Sequence, residues 1–156
     1  MTARATGRLM RRLRGFAGDT RGVAAVEFAL VGLAFITILL AILQFAMVFL
    51  SQMLLHDALS DAASGNSAQT YAGNRGAVAT QICSRLVLAP NCVGSIRLEA
   101  QPLAAYGAAR QPVGGTFTAA AVGTPMLMRA RVPVVTFVPG LPDLSVSGAA
   151  LYARQS

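Results

Sequence analysis

Between Glu27 and Asp57 the chain carries no Asp, Glu, Lys or Arg. The run Phe28–Leu50 inside that gap is 23 residues long and is interrupted only by Gly32, Thr37 and Gln44. As a helix rising about 1.5 Å per residue it would reach about 35 Å, enough to cross a bilayer hydrocarbon core of about 30 Å. A segment that is apolar on every side needs lipid or protein all round it. A cleavable secretory signal is the competing reading, but its apolar core would be about 7–15 residues with small residues at the cut. Here the run is longer, and Met53, Leu54 and Leu55 follow almost at once.

Charge sets the expected orientation. The net charge of +7 looks like a nucleic-acid signal until it is located. Residues 1–22 hold Arg4, Arg8, Arg11, Arg12, Arg14 and Arg21 against the lone Asp19, giving +5, and everything beyond carries only +2. The basicity therefore belongs to an arm, where it acts as a topogenic signal. The arm stays in the cytoplasm and the remainder is exported. This places one pass in the inner membrane and the C-terminal part in the periplasm, with no nucleic-acid partner. Charged residues are only 12% of the chain, about half the usual share, as suits a protein that touches lipid or is assembled.

The helix should continue past the membrane. Gln52, His56, Ser60 and Ser64 recur every four residues beside Asp57 and Asp61, while Leu54, Leu55, Ala58, Leu59 and Ala62 fill the other side. That is an amphipathic extension closed by Gly65-Asn66. A second helix is expected over Arg75–Ala89, capped by Asn74, with Val78, Ile82 and Leu86 as its buried stripe and Pro90-Asn91 as its stop. Ser95–Gln101 alternates as a half-buried strand, with Ile96, Leu98 and Ala100 inward and Ser95, Arg97, Glu99 and Gln101 toward solvent. Residues 102–125 read as a long loop with one short strand near Phe117. Met126–Val132 and Val134–Val138 form a strand pair or one strand broken by Pro133, a residue suited to an edge or bulge. Leu144–Tyr152 is the last strand. The fold class is α+β, divided into a basic leader (residues 1–22), a long helix (23–64, transmembrane over about 28–50) and a periplasmic α+β domain (65–156).

Cys83 and Cys92 enclose eight residues across the Pro90-Asn91 turn. With the topology above both thiols lie on the oxidising side, where a bridge would contribute roughly 2–3 kcal/mol. A reduced pair in a cytosolic protein is the alternative. A metal site would need more ligands, and the lone histidine, His56, lies on another element. Consecutive residues on a helix do not face each other, so His56-Asp57 is not a catalytic pair. There is no lysine, no phosphate-cradling glycine loop and no ligand cluster, so neither an enzyme, a cofactor nor a small-molecule substrate is expected.

The stretch Arg21-Gly22-Val23-Ala24-Ala25-Val26-Glu27-Phe28 places a glycine at the junction of arm and helix and a single acid five residues on. A carboxylate in a bilayer costs roughly 2.5–3.5 kcal/mol on insertion scales, so it needs a reason. The plain one is that Asp19 or Thr20 caps the helix and Glu27 sits near its positive end at the interface. The functional one is that a cut after Gly22 frees an ammonium on Val23 and makes Glu27 the fifth residue of the mature helix. In a filament that carboxylate could neutralise the ammonium of an adjacent subunit.

These residues resemble the processing site of type IV pilin-like proteins, specifically the TadE-like minor pilins (pseudopilins) of the tight-adherence, or Flp-type (type IVc), pilus system. The resemblance implies a pilin-like fold and cleavage by a prepilin peptidase between Gly22 and Val23. It also implies assembly through Glu27 and Phe28, with other pilins, pilus assembly platform proteins and inner-membrane lipid as partners. It continues more weakly in Ile82-Cys83 and Asn91-Cys92 and in Arg129-Ala-Arg-Val-Pro133. It departs at Tyr152-Ala-Arg-Gln-Ser156, where family members often carry an acidic, asparagine-containing tail. The rival from another class is an uncleaved, membrane-anchored periplasmic binding or adaptor protein.

Overall fold

The computed structural model describes residues 22–64, 68–89, 91–107, 112–138 and 140–154. The leader apart from Gly22, and the turn signals at Gly65-Asn66 and Pro90, lie outside them. Helix α1 runs Val23–Ala63, and the short helices α2 (Ala68–Tyr71), α3 (Arg75–Cys83) and α4 (Cys92–Ser95) follow. Strand β1 (Arg97–Pro102), a 3-10 turn (Leu103–Ala105), β2 (Pro125–Pro133) and β3 (Ser145–Ala153) complete the order. The expected pilin-like α+β architecture is present: a long apolar helix, a short second helix and an antiparallel sheet packed on helix. The chain divides into two units at the Ala41/Ile42 junction, inside α1.

In the first unit, the helical residues carry large apolar side chains on every side. From Val23 to Leu39 their exposure runs from 44% at Leu39 to 80% at Phe28, and Leu40 is half-buried. The Thr37 hydroxyl donates back to the Leu33 carbonyl, which hides its polarity within the helix.

The second unit is a two-layer head. Ser51, Leu55, Ala58, Leu59, Ala62 and Ala63 of α1 turn inward at helical spacing, so the amphipathic reading of this stretch holds, with Leu54 at its margin. They meet a sheet of order β1-β2-β3 in which β2 is central and both pairings are antiparallel. Leu98 and Ala100 of β1, Met126, Met128, Ala130 and Val132 of β2, and Val146 and Tyr152 of β3 complete the core. Gly148 on β3 lets the layers close. A Cβ there would stand 2.7 Å from the Leu59 Cδ1, so any side chain would push the helix away.

Asn74 caps α3 as expected, its Oδ1 accepting from the Ala77 N–H at 3.2 Å. The helix stops at Cys83 rather than Ala89, because the bonding tightens there: Arg85 and Leu86 donate to Ile82 and Cys83, three residues back. The stripe of Val78, Ile82 and Leu86 is nevertheless buried throughout. Ser95 belongs to α4, so β1 starts two residues later than its alternation suggests. β2 ends at Pro133 opposite Ser145, and Val134–Val138 forms no strand. The expected short strand near Phe117 is present as one parallel bridge to Ala100. Ala100 accepts from and donates to residues 116–118 on that side, which satisfies part of the outer edge of β1.

Candidate functional site

The residues marked by sequence fall at the head of α1 and on α3 and α4. Gly22 immediately precedes α1, and Val23, Glu27 and Phe28 open the helix. All four are exposed, Phe28 at 80% and Val23 at 59%. Val23 and Glu27 are four residues apart on a continuous helix and so share one face. The junction is thus an accessible, helical stretch with one carboxylate among apolar side chains. Asp19 and Thr20, the caps that the plain reading invokes, lie outside the described residues.

Cys83 and Cys92 are joined, with Cα atoms 5.7 Å apart, and the bridge ties the end of α3 to the start of α4. His56 and Asp57 are both exposed. Among the described residues no group of three or more His, Cys, Asp and Glu side chains could hold a metal ion.

Two polar anchors escaped the sequence. The first is Gln44, which looks like a mere interruption of the apolar run. It is 2% exposed, its Nε2 donates to the Val135 carbonyl at 3.0 Å, and its Oε1 accepts from the Phe137 N–H at 3.1 Å. One carboxamide thereby satisfies two backbone groups of the β2–β3 connection. Gln52 repeats the device, donating to the Ser147 carbonyl at 2.7 Å. A polar residue lying in a charge-free helix was the available signal, but its partners are some ninety residues away.

The second is Glu99, expected on the solvent face of β1. It is on the face opposite Leu98 and Ala100, as the alternation says, yet it is only 3% exposed. Residues 112–117 fold over that face. The Gly114 and Gly115 N–H groups each donate to Glu99 Oε2 at 2.9 Å, and Arg129, its direct cross-strand partner, pairs with Oε1 at 3.1 Å. Gly115 suits this approach: a Cβ there would meet Gln101 Nε2 at 2.7 Å, which would have to move, and Glu99 Oε2 at 3.2 Å. Burial pushes the Glu99 carboxyl up, but the two glycine N–H groups, Tyr106 and Arg129 outweigh it and hold it below the usual carboxylate range. The Arg129 guanidinium lies 5.5 Å from the centroid of the Tyr106 ring, whose hydroxyl donates to the Leu127 carbonyl at 3.3 Å. Burial and the Glu99 charge push Tyr106 up to about 12. With its acceptors filled and its charge paired, this cluster clamps a loop to the sheet and presents no free base or nucleophile.

The residues marked by sequence at the head of α1 thus lie on the half of the helix that is mostly apolar and exposed and carries a single acid at its start. A family model matches residues 22–64. The match is to the TadE-like protein family. The TadE-like segment begins at Gly22 and takes in Glu27 and the whole of α1, leaving the disulfide and the sheet outside it. Neither a curated protein nor a solved structure matches the chain.

Proposed function

We propose that this protein is a minor pilin, or pseudopilin, of a tight-adherence pilus, cut by a prepilin peptidase between Gly22 and Val23. The observation that carries the reading is Glu27, the single acid in the first half of the TadE-like segment, five residues after a glycine at the head of an exposed apolar helix. Before cleavage α1 is held in the inner membrane, with the arginine-rich arm in the cytoplasm and the head in the periplasm. After cleavage the Val23 ammonium of one subunit and the Glu27 carboxylate of its neighbour neutralise each other. Isolated in lipid each charge is unfavourable, and only docking removes both penalties. The exposed apolar side chains of the helix supply the packing between subunits. The disulfide suits an oxidising compartment.

The mass of the chain recovered from cells that contain the peptidase tests the cut. Loss of residues 1–22 is expected, and a chain that keeps them returns the protein to the uncleaved anchor. A Glu27→Ala variant should be trimmed normally yet fail to assemble. Normal pilus formation by that variant removes the role given to the carboxylate.

A further inference from the structure

The β2–β3 connection contains a second apolar surface that the pilin reading does not use. Its base is closed by the Val134 N–H donating to the Leu144 carbonyl, and a turn near its tip by Leu141 donating to Val138. Val135, Phe137 and Leu141 are 41%, 39% and 44% exposed, and no charged residue occurs between Arg131 and Asp143. On the helix beside Gln44, Phe45 is 74% exposed and Phe49 67%.

We propose that Val135, Phe137 and Leu141 enter the periplasm-facing interface of the bilayer, so that the head is seated in lipid by this loop as well as tethered by α1. The inference rests on the reading of α1 as a membrane span. A hydrocarbon core of about 30 Å takes about 20 helical residues, so a span that begins at Phe28 ends near Met47. Gln44 then lies in the last turn of that layer. Whatever its carboxamide holds lies at the same depth, and it holds the backbone of Val135 and Phe137. Irregular backbone at that depth must have its polar groups satisfied by protein. The two bonds from Gln44 do this for two of the loop's backbone groups, while the side chains between charged Arg131 and Asp143 are those an acyl boundary accepts. A loop meant for water would carry charge where this one carries Val, Phe and Leu.

The chain contains no tryptophan, so single substitutions report without background. The full chain would be reconstituted in phosphatidylethanolamine–phosphatidylglycerol vesicles with and without acyl-brominated lipid, which quenches tryptophan on contact. Leu39→Trp reports the span, Phe137→Trp and Leu141→Trp report the loop, and Val87→Trp, at an 87% exposed position of the head, is the aqueous control. Loss of emission at Leu39→Trp and at both loop positions, with none at Val87→Trp, is the expected result. Quenching at Leu39→Trp alone overturns the seated loop and leaves the span standing. No quenching at Leu39→Trp removes the span itself, and equal quenching at all four positions marks non-specific adsorption and also overturns the proposal. Two loop reporters keep the test decisive if Phe137→Trp disturbs folding.

Discussion

Leu39 and Leu59 lie in the two halves of α1, yet Leu39 is 44% exposed and Leu59 is 0% exposed. Their hydrophobicity is the same; what differs is the partner within the chain. From Ile42 onward α1 belongs to a unit that includes a sheet, and over its last turns Leu55, Ala58, Leu59 and Ala62 collect on the side that meets it. Over Val23–Leu39 the large apolar side chains are exposed, and none of them is in the core. A second contrast runs in parallel. Glu99 is buried among donors that fully satisfy it, whereas Glu27 is exposed at the start of a greasy surface. The sheet-facing groups of the head find their partners inside it, while the first half of the helix keeps its apolar side chains and its one acid exposed.

The sharpest way to break that contrast is at the two acids. Glu99→Ala removes at once the acceptor of the Gly114 and Gly115 N–H groups and the Arg129 ion pair, and the loss of three charge-assisted hydrogen bonds should cost about 3–5 kcal/mol. Glu27→Ala should leave the unfolding of the head unchanged. Guanidinium titrations in detergent micelles, followed by near-ultraviolet circular dichroism, measure both, and equal effects would dissolve the distinction. The two leucines come next. Leu59→Ala should lose about 2–5 kcal/mol through the cavity left under the sheet, and Leu39→Ala less than about 0.5 kcal/mol in the same assay.

A smaller effect concerns acid. The Glu99 carboxyl is held below its ordinary value in the folded head, so its stabilisation is complete above the unfolded carboxyl's pKa of about 4.3 and is lost as pH falls through the lower folded value. Glu99→Gln should flatten that acid limb of the stability profile; an unchanged limb would assign it to other carboxyls. The smallest change has the opposite sign. The Tyr152 hydroxyl is buried with no hydrogen-bond partner among the described residues, so Tyr152→Phe should stabilise the head by about 1 kcal/mol. A loss of stability would reveal a partner for that hydroxyl.

Features set by local pattern were legible in the sequence. The charge-free run, the four-residue recurrence after Gln52 and the cap at Asn74 each depend on residues within a turn or two of one another. So does the alternation that puts Ile96, Leu98 and Ala100 inward, and all of these appear in the structure. What remained hidden depends on distant segments. Alternation assigned Glu99 to the correct face of β1, but nothing local says that residues 112–117 cover that face. Gln44 interrupts an apolar pattern for a reason that lies at Val135 and Phe137. Pro133 was legible as a disturbance, but its place at the end of β2 depends on where β3 begins to pair. The candidate site was the more legible part, because a glycine, an acid and their spacing are contiguous.

Gly148 has a mechanical consequence. The hollow that it leaves accepts the Leu59 methyl at one axial setting, so the contact between helix and sheet is keyed rather than smooth. A slip of one turn, about 5.4 Å, would lift that methyl out of its notch and part Gln52 from the Ser147 carbonyl at the same moment.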